Sequence, residues 1–91
     1  MIIELSGSIK IKITTAVLQS DGDIEIFSVT NFQELEKETR FPIYAAYLTE
    51  YENEWFLATR LVIPEEMQDE FDDIHIFEIK NQENYKLKAF L

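Results

Sequence analysis

Carboxylates are the side chains of this chain with the greatest capacity for chemistry, and they occur in closely spaced series. The longest series lies in residues 64–78, PEEMQDEFDDIHIFE, which contain no lysine or arginine. Close carboxylates can transfer protons, hold a metal ion or present regularly spaced negative charge. The candidate binding residues are Glu65, Glu66, Asp69, Glu70, Asp72 and Asp73, then Glu50, Glu52 and Glu54, then Asp21, Asp23 and Glu25, and finally Glu34 and Glu38.

Proton transfer and metal binding lack supporting motifs in this sequence. His75 is the only histidine and lies in the apolar run 74–77, which is typical of a strand residue rather than a catalytic base. The chain has no cysteine, no glycine-rich phosphate loop and no nucleophile motif. Residues 21–25, DGDIE, resemble a calcium loop only faintly, because glycine comes second rather than sixth. We therefore expect a hairpin turn there, no metal or cofactor, and no enzymatic activity.

The charge is unevenly distributed along the 91 residues. The net charge is −10, and residues 21–78 contain all but two of the 18 acidic residues, whereas both ends are mildly basic. Such a chain should avoid nucleic acid and anionic membranes and should favour basic partners. No apolar run is long enough to cross a membrane, and no signal peptide is recognisable, which predicts a cytoplasmic protein.

The density of acidic residues is consistent with a surface of regularly spaced negative charge. A compact chain of this length should measure about 30 Å across, a distance over which duplex DNA carries about 18 phosphates. Acids two apart on a strand or four apart on a helix would stand about 5–7 Å from one another. One hypothesis is therefore a DNA mimic, whose carboxylates occupy the DNA-binding groove of another protein. The alternative is a solvated surface that confers only solubility.

Residues 64–73 are predicted to form a helix that would carry the densest part of this charge. Pro64 suits its first position, and Met67, Phe71 and Ile74 recur at helical spacing and should face the core. Five acids would then share the opposite face, namely Glu65, Glu66, Asp69, Asp72 and Asp73. Pairs four apart, such as Glu65 and Asp69, would repel by about 0.2–0.5 kcal/mol each.

The preceding half of the chain predicts strands and one further helix. Residues 1–5 should be extended and 6–8 a turn, and the alternation of Ile9, Ile11 and Ile13 favours a strand over a competing helix at 8–18. A hairpin turn at 20–23 should lead into a strand at 24–29. Asn31 should then cap a helix that spans residues 32–40, with Phe32, Leu35 and Thr39 facing inward.

The rest of the chain alternates apolar runs with polar turns. Strands are expected at 43–49 and 55–63, around a polar tip at 50–54, and a last hairpin should pair 74–80 with 85–91. These elements predict a single α+β domain, residues 1–91, with a mainly antiparallel sheet built from hairpins and two short helices.

Five aromatic residues lie around the hairpin at 43–63. Aromatic residues usually belong to a core, but tyrosine and tryptophan are also enriched at protein interfaces. An acidic adaptor that binds its partner through this hairpin is therefore the alternative to DNA mimicry. The five residues are Tyr44, Tyr47, Tyr51, Trp55 and Phe56.

Three parts of the chain resemble a known family. The opening MIIELSGSIK, the segment ITTAVLQSDGDIEIFSVTNF and the acidic centre are similar to the Arn family of antirestriction proteins of T-even phages. The resemblance implies a homodimeric DNA mimic that acts in the cytoplasm of the infected bacterium. It would occupy the DNA-binding surface of a restriction endonuclease of the McrBC type. It assigns no role to any individual residue, because the family signal is a charged surface.

Overall fold

The computed structural model describes residues 2–27, 32–80 and 82, which form an α+β fold with mostly antiparallel strands. One α-helix is present among these residues, so the prediction of two short helices is only partly correct. Two 3₁₀ turns, Ser6–Ser8 and Glu65–Met67, complete the regular structure. The elements are β1 Ile2–Glu4, β2 Lys10–Lys12, β3 Thr15–Leu18, β4 Ile24–Phe27, α1 Phe32–Thr39, β5 Ile43–Tyr51, β6 Glu54–Leu61 and β7 Ile74–Glu78.

The strands form two sheets. Strands β3 to β7 pair in chain order, each antiparallel to the next, and β1 pairs with β2. An isolated bridge between Leu5 and Ile79 links the smaller sheet to the end of β7. The Lys80 N–H also donates to the Glu4 carbonyl at 2.7 Å. Buried side chains from both sheets and from α1 form one hydrophobic cluster.

The isoleucine alternation near the N-terminus does form a strand, as predicted. Ile11 and Ile13 are buried, whereas Lys10 and Lys12 are exposed. A helix over residues 8–18 is not formed, because the chain pairs first as β2 and then as β3. Alternate burial of β-branched side chains suits a sheet with one covered face better than a helix.

The Asp-Gly pair forms the predicted hairpin turn between β3 and β4. Gly22 has a φ of 95°, a backbone conformation that glycine adopts without steric penalty. The Gln19 N–H donates to the Asp23 carbonyl at 2.7 Å, and the Asp23 N–H donates to the Asp21 carboxylate at 2.9 Å. The turn thus uses one carboxylate to satisfy its own backbone.

Helix α1 agrees with its prediction over most of its length. Leu35 and Thr39 are buried and Phe32 packs against the core. Arg40 leaves the helix with a φ of 67°, and its N–H donates to the Glu36 carbonyl at 2.8 Å, the usual arrangement after a last helical turn. The predicted cap at Asn31, the end of the strand predicted at 24–29, and the strand predicted at 85–91 lie outside the described residues.

The turn between β5 and β6 is tighter than predicted. Glu52 and Asn53 both have positive φ, at 50° and 68°, the combination required by a two-residue type I′ turn. Tyr51 and Glu54 therefore pair directly, and the carboxylates of residues 50 and 54 project from strands rather than from a loop.

The predicted helix at 64–73 is wrong. After the 3₁₀ turn, most backbone bonds here join residues three apart, such as the Glu70 N–H to the Met67 carbonyl at 3.0 Å. Met67 and Phe71, which the helical spacing placed inward, are 39% and 43% exposed, and Ile74 begins β7. Short helices are marginal without a buried face, and repulsion among the acids removes further stability.

Both faces of the five-stranded sheet carry apolar side chains. The inner face carries buried rows such as Ile24, Leu48, Leu57 and Phe77. The outer face, which carries the side chains of Val17, Tyr47 and Ile76 on paired positions, remains accessible. Of the aromatic residues around the hairpin, Tyr44 and Tyr51 are 60% and 67% exposed and the other three are half-buried, so none belongs to the fully buried core.

No α-helix among the described residues is both long and apolar enough to span a bilayer.

Candidate acidic binding surface

The fold separates the candidate acids into groups, the first of which lies where two hairpins turn. We call them the tip acids: Asp21, Asp23, Glu50, Glu52 and Glu54. The β3–β4 turn and the β5–β6 turn lie at the same end of the sheet, because each strand pair is antiparallel and in register. Three of these acids, from both turns, line one open cavity together with Leu18 and Trp55. Residues 21 and 50 are thus brought together although nearly thirty positions separate them in the chain.

The second group, the loop acids, occupies the connection between β6 and β7. They are Glu65, Glu66, Asp69, Glu70, Asp72 and Asp73, and all of them are exposed. The connection is anchored by the ring of Phe71, whose centroid lies 5.2 Å from that of Phe41, and by a 2.8 Å hydrogen bond from the Leu61 N–H to the Asp73 carbonyl. The Gln68 amide also donates to the Ile63 carbonyl at 3.3 Å. The loop acids therefore radiate from an anchored loop instead of sharing one face of a helix.

The two groups lie at opposite ends of the sheet. Strand β6 runs from the tip at Glu54 to the loop after Leu61, a rise of about 24 Å at 3.4 Å per residue. This separation lies within the 42 Å long axis of the molecule. Glu34 and Glu38, the remaining candidates apart from Glu25, are exposed on α1. Apart from Glu25, the candidate acids are thus divided into a tip group, a loop group and a helix pair.

Within the described part of the chain, none of the candidate acids forms a salt bridge. The ion pair found there joins Lys10 Nζ to Glu4 Oε1 at 3.7 Å, and neither residue is a candidate. Arg60 is half-buried on the outer face of the sheet, and Lys37 and Arg40 belong to α1 and its end. The negative charge of the tip and loop acids is therefore not neutralised by these cations, and it remains available to another molecule.

A few acids have local structural partners. Glu36 Oε2 accepts a 2.7 Å hydrogen bond from the Ile43 N–H, which ties α1 to the start of β5. Glu25 Oε1 accepts from the Gln19 side-chain amide at 3.3 Å and is half-buried on the outer face. Glu25 thus stands apart from the tip acids that precede it in the chain.

One exposed acid was not among the candidates. Glu78 lies on β7 opposite Phe56, on the outer face of the sheet, and it is exposed. The alternation of apolar and polar residues over 74–80 could have identified it, because the neighbours of buried Phe77 must point outward. His75 is an exposed strand residue, as expected, and its ring centroid lies 4.5 Å from that of Phe77.

The described residues contain no group of three or more histidine, aspartate or glutamate side chains that could hold a metal ion. The tip and loop acids instead present their charges at separate places on the surface. The arrangement suits a broad cationic surface, which contacts each charge separately.

No family model, no curated protein and no solved structure matches the chain. The function must therefore be argued from the charge and geometry of this surface.

Proposed function

We propose that this protein is a DNA mimic that binds the DNA-binding surface of a bacterial restriction endonuclease and inhibits it. The tip and loop acids would occupy the positions of phosphates. The endonuclease would contribute the lysine and arginine side chains that normally bind the DNA backbone. No catalytic step is required, because occupancy of the groove is sufficient for inhibition.

The observation that carries this proposal is that the tip and loop acids form no salt bridge within the described residues, and all of them except half-buried Asp23 are exposed. A surface that served only solubility could alternate charges of both signs, which would reduce repulsion. Here the two groups are held about 24 Å apart by a rigid strand, so a partner meets negative charge at two fixed places.

The choice of target rests on the resemblance to the Arn family. That resemblance implies a nuclease of the McrBC type, encountered in the cytoplasm of the infected bacterium. The charge argument by itself requires only a protein with a basic groove of at least this length.

Competition with DNA tests the proposal directly. A labelled duplex is bound to a nuclease of the McrBC type, and the protein is added at several salt concentrations. We expect it to displace the duplex and to lose affinity steeply as salt rises, because several ionic contacts are broken. Binding that is insensitive to salt and to excess duplex would contradict mimicry.

A variant that lacks five of the six loop charges and keeps Glu70 provides the second half of the test. It combines Glu65→Gln, Glu66→Gln, Asp69→Asn, Asp72→Asn and Asp73→Asn. We expect an intact or more stable fold, because repulsion falls, together with weaker inhibition. Full inhibition by this variant would show that the five replaced acids are not part of the binding site.

An aromatic adaptor is the second candidate function. The exposure of Tyr44 and Tyr51 favours it, because exposed tyrosine is common in interfaces. An interface of this kind should persist at high salt and should ignore competing DNA. The same competition experiment therefore separates the two functions.

We also infer a homodimer. The inference rests on the resemblance, and an interface on the outer face would bury the exposed apolar side chains found there. Val17, Phe27 and Ile76 are each more than 40% exposed on this face.

A further inference from the structure

Strand β7 has a free edge. The Leu61 N–H donates to the Asp73 carbonyl at 2.8 Å, so in this antiparallel ladder residues 75 and 77 also direct their backbone groups toward β6. Ile74 and Ile76 consequently direct their N–H and carbonyl groups away from the sheet. Among the described residues, no backbone hydrogen bond satisfies the outward N–H of either isoleucine.

This free edge is bounded at both ends. Beyond Glu78 the edge is paired with the segment that follows β1, through the bridge between Leu5 and Ile79 and the bond from the Lys80 N–H to the Glu4 carbonyl. Before Ile74 the anchored loop turns away. A short length of unpaired strand is therefore exposed between two fixed structures, a geometry that accepts an added strand.

Two concave surfaces lie along this edge and share His75. The first is lined by residues that include Phe41, Phe71 and Ile74, and the second by residues that include Gly7, Ile76 and Phe77. Both surfaces therefore offer apolar contacts on either side of the unpaired backbone. An added strand would place alternate side chains against them.

The charge along the edge has one sign. Glu70 and Asp72 line the first concave surface, and Glu38 and Glu78 line the second. Neither surface has a lysine or arginine among the described residues that line it. A second copy of this chain would bring the same carboxylates against each other, which opposes self-pairing at this edge.

We propose that the free edge of β7 binds an extended basic segment of a partner protein, which adds to the sheet beside Ile74 and Ile76. Its backbone bonds to the outward N–H and carbonyl groups, and its lysine or arginine side chains lie against Glu38, Glu70, Asp72 and Glu78. Its apolar side chains contact the two concave surfaces. This site differs from the proposed DNA-mimic surface, because it binds the backbone of an extended segment as well as its cationic side chains.

The test uses the full chain and a capped eight-residue peptide of alternating valine and lysine. Two single variants are compared. Ile76→Pro removes one outward N–H of β7, whereas Ala16→Pro makes the matching change on β3, the opposite edge strand. Ala16 is the correct match because the Gln19 N–H bonds to Asp23, so residues 17 and 19 face β4 and residue 16 faces outward. Proline is tolerated at such edge positions.

We expect wild type and Ala16→Pro to bind the peptide equally and Ile76→Pro to bind it about tenfold more weakly, the effect of losing one or two hydrogen bonds. Amide hydrogen exchange of the wild-type protein provides a measurement that does not depend on a variant. The peptide should protect the amides of Ile74 and Ile76 and leave those of Ala16 and Leu18 unchanged.

Three results would overturn the proposal. The first is equal binding by Ile76→Pro, with its fold verified by circular dichroism. The second is binding that protects only the tip or loop regions, or the β3 edge, which would show attraction to acids without strand addition. The third is undiminished binding of a valine-lysine peptide that is N-methylated at every valine and of another N-methylated at every lysine, because one of the two cannot bond to the edge. Failure of DNA competition would not affect any of these measurements.

Discussion

Thr59 shows what one buried polar side chain contributes. Its side chain is fully buried on β6, and its hydroxyl donates to the His75 carbonyl at 2.9 Å, across the β6–β7 pair. The hydroxyl adds a side-chain hydrogen bond to the strand pair whose connecting loop carries the loop acids. Loss of this bond should lower the free energy of unfolding.

The variant Thr59→Val keeps the shape of the side chain but removes the hydroxyl. We expect the free energy of unfolding to fall by about 1 kcal/mol, the usual net value of one hydrogen bond. Urea denaturation measures the change. The control is Thr49→Val, because Thr49 is half-buried on the outer face and should tolerate the same replacement. Equal effects of the two replacements would show that the hydroxyl of Thr59 is not responsible.

The position of the loop charges can be separated from their number. The double variant Asp69→Asn/Asp73→Asn and the double variant Ser6→Lys/Gln33→Lys both raise the net charge by two, and all four positions are exposed. If phosphate positions are imitated, the first should weaken inhibition of the nuclease several-fold more than the second. Equal losses, measured as inhibition constants at one salt concentration, would indicate that only total charge matters.

At the residue scale, the sequence predicted exposure of the acids but not their arrangement. Asp21 and Glu50 meet because the β3–β4 and β5–β6 turns lie at the same end of the sheet, a consequence of strand order. Local spacing contains no information about that order. Their proximity therefore required the structure.

At the scale of single elements, α1 offers a test of backbone conformation. Arg40 has a φ of 67° immediately after the helix, a region that costs a side chain roughly 1 kcal/mol. We expect Arg40→Gly to stabilise the protein by up to about 1 kcal/mol in thermal or urea unfolding.

The matched control is Lys37→Gly, which also removes one positive charge but lies inside α1. Glycine at an exposed position within a helix should destabilise by about 1 kcal/mol. The two variants are thus expected to change stability in opposite directions. A loss of stability in both would mean that the charge near the end of the helix outweighs the backbone effect.

The strands and α1 were predictable because their patterns agree with their surroundings. Ile11 and Ile13 alternate with lysines, and Leu35 and Thr39 recur at helical spacing, and in each case the apolar face finds a core. The helix predicted at 64–73 failed because Met67 and Phe71 had the spacing but no core to enter. Leu61, Ile63 and Phe77 are already buried beside them in the chain.

At the scale of the whole molecule, the outer face predicts association. Sedimentation at micromolar concentration should show a dimer, and Ile76→Glu should shift it toward the monomer, because a charge would be buried in an apolar interface. The matching control is Val62→Glu, an equally exposed apolar position that follows β6 and lies outside the sheet. A wild-type protein that sediments only as a monomer would contradict the inference.

The α+β class and its antiparallel strands could be inferred from hairpin signals such as Asp21-Gly22. The existence of two sheets could not, because β1 and β2 pair with each other across the turn at 6–8 and, among the described residues, join the end of β7 through the bridge between Leu5 and Ile79 and the bond from the Lys80 N–H to the Glu4 carbonyl. That connection depends on two segments more than seventy positions apart, which meet only after the sheet has formed.

Trp55, the single tryptophan of the chain, stands at a useful place. It lines the cavity between the two turns with Asp21 and Glu50, while the Gln82 side chain donates to its carbonyl at 3.1 Å and accepts from its N–H at 2.9 Å. Indole emission depends on the polarity of its surroundings, so the chain contains a natural optical probe at one end. A partner that binds at the two turns should change the wavelength or intensity of Trp55 emission. A partner that binds at the β6–β7 connection should leave the emission spectrum unchanged.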